Sequence, residues 1–213
     1  MKNFKCAVFD LDGTVLDSTD VWYQIDKEFF EARGLLIPPD YAKTISPMGF
    51  ERAAEYTIET FSLPETKSQV MEEWNYMAQQ KFEKNVGLKD GAYEYLNYLK
   101  SKDIKLCIAT ASHEELFVPA LKRNGVYDLF DCITTLKEVN RGKGFPDVYI
   151  KSAQKAGENV ENCVVFEDLL AGIRGALKGG FFTVAVYDKN SEKDFADIKK
   201  ISNKVIHSFF ELM

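Results

Sequence analysis

Two carboxylates two residues apart, Asp10 and Asp12, close a short apolar run in Cys6-Ala7-Val8-Phe9-Asp10-Leu11-Asp12-Gly13. Side chains alternate faces along a strand, so both acids point the same way where the strand ends. Like charges held that close repel unless a cation or a shared proton lies between them. That is a poor core and a useful site. Gly13 lets the chain turn sharply behind the pair. A calcium loop of the helix–loop–helix kind needs a Glu about eleven residues after its first acid. Val21 stands there instead, which sets that reading aside.

Three further stretches carry chemistry. Thr110 ends the strand-like run Lys105-Leu106-Cys107-Ile108-Ala109 and is followed by Ala111-Ser112. A hydroxyl followed by backbone N–H groups at a strand-to-helix turn cradles an anion. Ser112-His113-Glu114-Glu115 has capping-box spacing, so Ser112 is expected as a helix N-cap. Lys143 stands between Gly142 and Gly144, ahead of Pro146-Asp147, where a compact point charge can approach a phosphoryl oxygen. Glu167-Asp168 closes the run Cys163-Val164-Val165-Phe166. Adjacent acids there either cap the next helix or join Asp10 around a hard cation such as Mg²⁺, which takes oxygen ligands.

The elements that must position these groups fall into two textures. Residues 17–85 read as all-helical. Val21, Ile25, Phe29 and Phe30 form one stripe, a second helix runs from about Phe50 through Phe61, and a third carries Val70, Trp74, Met77 and Phe82. Ser62-Leu63-Pro64-Glu65 has the spacing of a capping box for that third helix. Trp22, Tyr23, Trp74 and Tyr76, at helical spacing, are expected in the core of this block. From Val86 onward, short apolar strands alternate with helices, the pattern of a parallel sheet covered on both faces. The first strand belongs with that sheet. The fold class is therefore α/β: a doubly wound parallel-sheet core of residues 1–16 and 86–213, with an all-helical cap of residues 17–85 inserted after the first strand. In such sheets the site forms at the carboxyl ends of the strands.

Composition bounds the function. The 213 residues suit one large domain or a domain with an insertion, and a net charge of −6 leaves no electrostatic footprint for nucleic acid. No apolar run is long enough to span a membrane, and no signal-peptide pattern precedes the first strand. The four cysteines show no CxxC or Cys/His ligand spacing, so neither zinc nor a disulfide framework is indicated and a reducing cytoplasm is expected. Neither GxGxxG nor GxxxxGK occurs, which disfavours a nucleotide-binding module.

The run Phe9-Asp10-Leu11-Asp12-Gly13-Thr14-Val15-Leu16-Asp17-Ser18 resembles the first motif of the haloacid dehalogenase-like (HAD) phosphohydrolases, in the branch with a helical cap. Arg141-Gly142-Lys143-Gly144-Phe145-Pro146-Asp147 is similar to the third motif, with Gly144 in place of a Pro. Phe166-Glu167-Asp168-Leu169 is similar to the fourth, with Leu169 in place of a Ser, and Thr110 stands in the place of the second. The resemblance implies a Rossmann-like core and a Mg²⁺-dependent phosphatase of a small phosphorylated metabolite. Asp10 would be the nucleophile and Asp12 the general acid/base. Thr110, Ala111 and Lys143 would bind phosphate, and Asp10, Asp168 and the backbone carbonyl of Asp12 would hold the metal. Glu167 is left between an additional ligand and an acid beside the ligands. The alternative is a hexose-phosphate mutase like β-phosphoglucomutase. Gly49-Phe50-Glu51-Arg52 has the Gly-x-x-Arg spacing of that group's cap, but the His that the group carries after the first motif falls at about Trp22. A receiver-like signalling domain is disfavoured, because it takes phosphate at a later strand and lacks so large an insertion. His113 and His207 are expected at the surface or at caps. The oligomeric state is not readable.

Overall fold

The computed structural model of the chain describes residues 3–45, 48 and 50–213, and of Lys43 the backbone alone. Among the described residues, six strands form one parallel sheet: β1 (Cys6–Phe9), β4 (Lys105–Thr110), β5 (Cys132–Thr135), β6 (Cys163–Glu167), β7 (Phe182–Val186) and β8 (Lys204–Ile206), in the order β5-β4-β1-β6-β7-β8. Strands β1, β4 and β6 are apolar on both faces because both faces are covered. On one face Cys6, Val8, Cys107 and Val165 pack under α7 (Asp147–Lys155) and α8 (Leu170–Lys178). On the other, Phe9 stacks on Phe166 at 4.4 Å between ring centroids, with Phe209 and Tyr95 of α5 (Ala92–Ser101) against Phe166. Burying each such ring is worth about 1.5–3 kcal/mol, and the register Phe9↔Phe166 is held by that stack. The four cysteines are free thiols, with Cys6, Cys107 and Cys163 buried.

The chain order explains where a site can form. It runs outward from β1 through β4 to β5, returns to the other side of β1 at β6, and continues to β8. The direction of winding reverses between β1 and β6, and there the carboxyl ends of the strands leave a crevice.

Contacts divide the chain into two compact units, Met1–Thr19 with Val86–Met213, and Asp20–Asn85. Asp17 and its neighbours go with the sheet because β2 (Leu16–Asp17) pairs antiparallel with β3 (Gly87–Leu88). The second unit contains nearly all of α1 (Thr19–Glu31), with α2 (Tyr41–Ile45), α3 (Phe50–Phe61) and α4 (Lys67–Lys84). Its core is the stripe Val21, Ile25, Phe29 and Phe30 packed with Val70, Trp74, Ala78 and Phe82. Arg33 ties it together, bonding Glu65 and both carboxylate oxygens of Glu73 while its guanidinium lies over Phe29.

Two local expectations are corrected here. The capping box of α4 is Thr66 with Gln69, not Ser62 with Glu65. Ser62 adopts a left-handed backbone (φ 52°) at the end of α3, which is incompatible with the extended geometry an N-cap needs. Of the four aromatics expected in this core, only Trp74 is buried, edge-on to Phe29 and Phe50; Trp22, Tyr23 and Tyr76 are exposed. The buried stripe of α4 steps by four from Val70, and Tyr76 lies about half a turn off it. Among the described residues no helix is long and apolar enough to cross a membrane.

Candidate active site

The alternation of β1 and β6 aims the acids. Cys6, Val8 and Asp10 follow one face of β1, as Cys163, Val165 and Glu167 follow the same face of β6, and the pairs Cys6↔Cys163 and Val8↔Val165 are in register. The Asp10 N–H donates to the Phe166 carbonyl at 3.0 Å, carrying the pairing one residue past β1. Asp10, Glu167 and Asp168 are all buried, and one carboxylate oxygen from each lies within 4.8 Å of the others.

Behind them the chain folds back tightly, with the N–H groups of Thr14, Val15 and Leu16 all donating to the Leu11 carbonyl. Gly13 takes φ 79° in this turn, and a Cβ there would stand 2.5 Å from Asp168 Oδ2. Only glycine allows both the backbone angle and the approach of the acid. The Thr14 hydroxyl donates to Asp168 Oδ1 at 3.3 Å, so the turn also grips the acid. Asp12 accepts from the Ser18 hydroxyl at 2.6 Å. Burial raises the Asp12 pKa, and hydrogen bonds from Ser18 and Ser112 oppose the rise. The N-cap of α6 (Glu114–Arg123) is His113, not Ser112 as expected. The Ser112 N–H donates to the Thr110 hydroxyl at 2.9 Å. That leaves the hydroxyl proton of Thr110, at the buried end of β4, as a donor for an anion. Ala111 follows it at the surface.

Lys143 is brought to the acids by a backbone approach that a side chain would block. A Cβ on Gly175 of α8 would stand 1.9 Å from the Lys143 carbonyl oxygen. The Lys143 ammonium contacts Asp10 Oδ1 and lies 2.6 Å from Glu167 Oε1. Burial works against its charge, but Asp10 and Glu167 outweigh burial and raise its pKa. One ammonium does not balance three acids. Burial raises the Asp10 carboxyl to about 7, with Glu167 and Asp12 adding to the rise and Lys143 opposing it. Asp168 is raised too, by burial and then by Glu167 and Asp10. Oxygen donors with surplus negative charge in a buried crevice fit a hard divalent cation, which restores them to their ionised forms.

The structure thus brings Asp10, Lys143, Glu167 and Asp168 together, with Asp12 held by Ser18 and Thr110 at the neighbouring strand end. Sequence reasoning gave Ser18 no role beyond its place in the first motif and did not single out Tyr149, whose buried hydroxyl donates to Glu167 at 2.9 Å. A phenol among the otherwise small side chains of the buried stripe Val148, Tyr149, Ser152, Ala153 was the available signal. Arg52 is exposed on α3 and pairs with Glu55 and Glu59, and Gly49 of its motif lies outside the described residues. His113 and His207 are exposed, His207 lying against Tyr187 and Phe195.

Residues 7–186 match the family model for haloacid dehalogenase-like hydrolases. A phosphorylated carbohydrates phosphatase of Thermotoga maritima is 26% identical over 180 residues, covering 83% of this chain and 82% of that protein. The β-phosphoglucomutase of Bacillus subtilis is 25% identical over 190 residues, covering 85% and 83%. Among solved structures, a HAD hydrolase, family IA, variant 3, from Entamoeba histolytica superposes with a TM-score of 0.80 at 25% identity, covering 98% of this chain and 95% of that one.

Proposed function

Because this chain belongs to the haloacid dehalogenase-like hydrolases, we propose that it is a Mg²⁺-dependent phosphatase of a small phosphorylated metabolite. The observation that carries the reading is the buried trio Asp10, Glu167 and Asp168 at the β1/β6 switch, with the Lys143 ammonium on Asp10. Asp10 and Asp168, with the backbone carbonyl of Asp12, would hold the metal, whose charge lets an anionic ester approach an anionic nucleophile.

Asp10 attacks phosphorus, the bond to the leaving oxygen breaks, and an aspartyl-phosphate forms. Asp12, oriented by Ser18, gives a proton to the leaving alkoxide and then takes one from the water that attacks the intermediate. A carboxyl raised by burial and restrained by hydroxyl donors suits both roles. Thr110, Ala111 and Lys143 hold the transferring group's oxygens, where positioning and charge supply most of the acceleration. The unit Asp20–Asn85 is read as the cap that selects the substrate.

The test is phosphate release from a panel of phosphate esters with Mg²⁺, beside EDTA and Asp10→Asn controls. Release that EDTA and the substitution both abolish is the expected outcome. β-Glucose 1-phosphate is run separately and glucose 6-phosphate followed. Isomerisation without net release would replace the phosphatase reading with a mutase one. Arg52, engaged by Glu55 and Glu59, and Trp22 at the mutase His position favour hydrolysis.

A further inference from the structure

Glu167 is fully buried, and both its oxygens are taken by donors of its own unit. Oε1 accepts from Lys143 Nζ at 2.6 Å and from the Tyr149 hydroxyl at 2.9 Å. Oε2 accepts from the N–H groups of Asp168 and Leu169, each at 3.1 Å. A carboxylate has about four lone-pair sites, and here four donors fill them. It is held in one orientation, with nothing left to offer a cation.

The phenol is as constrained as the acid. Tyr149 is fully buried in α7, its ring edge-on to Phe181 at 6.2 Å. A tyrosine hydroxyl in such a place needs an acceptor, and Glu167 Oε1 is the one it meets. Lys143 is an ammonium on a flexible stem, able to follow whichever acceptor moves. From these contacts we infer that Tyr149 is a positioning residue: through Glu167 it holds the Lys143 ammonium against Asp10. Glu167 serves that hold and not the metal. Without the phenol, Lys143 is the only remaining donor to Oε1 among the described residues, and that oxygen no longer fixes where the ammonium sits. The catalytic consequence rests on the phosphatase reading; the positioning itself does not.

The variant is Tyr149→Phe, which keeps the ring and its packing. The first readout is the ¹⁵N-labelled lysine ammonium spectrum, with Lys143 identified by its loss in Lys143→Met. The wild type is expected to show a slowly exchanging Lys143 ammonium. In the variant its protons exchange about five-fold faster, the size set by one lost hydrogen bond, while the thermal midpoint stays within about 5 °C, as one lost hydrogen bond allows. With the best ester, kcat falls about ten-fold for the same reason. A wild-type Lys143 ammonium that exchanges fast, or one that Tyr149→Phe leaves unchanged, overturns the inference. A wild type inactive on every ester would sink the phosphatase reading, and the lysine spectrum alone would then decide the positioning role.

Discussion

Buried carboxylates inside each unit carry an electrostatic cost that function explains in one place and not in the other. At the site the proposed metal would offset the cost of burying Asp10 and Asp168. In the helical unit, Asp26 is buried in α1, and burial raises its pKa from 3.8 to about 7. A carboxyl raised on folding favours the native state fully below its unfolded value, and that contribution is lost as pH rises through the folded value. Asp26→Asn is therefore expected to leave stability unchanged at pH 3 and to raise it at pH 8. The gain, discounted for partial solvent screening, is on the order of 1 kcal/mol. Urea unfolding at the two pH values checks this. Equal effects at both would show that the residue's charge plays no part.

The loop bearing Lys143 reaches the acids because α8 has no side chain at Gly175. Alanine there would gain up to about 1 kcal/mol in helix propensity. It would also set a methyl into a backbone carbonyl, an overlap that costs about 1–3 kcal/mol or more. The clash wins, since a carbonyl cannot swing aside without moving its residue. Gly175→Ala is expected to lower stability by about 2 kcal/mol and to reduce activity more than the lost folded fraction explains, because Lys143 is the residue displaced. Denaturation read beside specific activity separates the two. An active, fully stable variant would mean that the loop adapts freely.

The antiparallel pair β2/β3 brings the two ends of the sheet-bearing unit side by side, with Asp17 opposite Gly87. Replacing residues 20–85 by a short Gly/Ser linker is therefore expected to leave that unit folded. Its unfolding should remain cooperative, with a smaller denaturant slope in proportion to the surface removed. Circular dichroism and urea titration check this, and a non-cooperative product would show that the sheet needs the helical unit in order to fold. Much of this architecture is legible before folding. The apolar strands, the acids that close them and the helical texture of the insertion all follow from periodicity and from residue types at strand ends, which are local properties. The register that sets Asp10 level with Glu167 was not legible, nor was the closing of the Ser18 hydroxyl on Asp12. The first depends on how distant strands pair, and the second on how the turn behind Asp12 folds back to bring the hydroxyl within about 3 Å, the reach of a hydrogen bond. Tyr149 is the clearest case. In the chain it is one aromatic on a helix stripe, and only the packing of α7 beneath β1 and β6 turns its hydroxyl into the fourth donor on a buried acid.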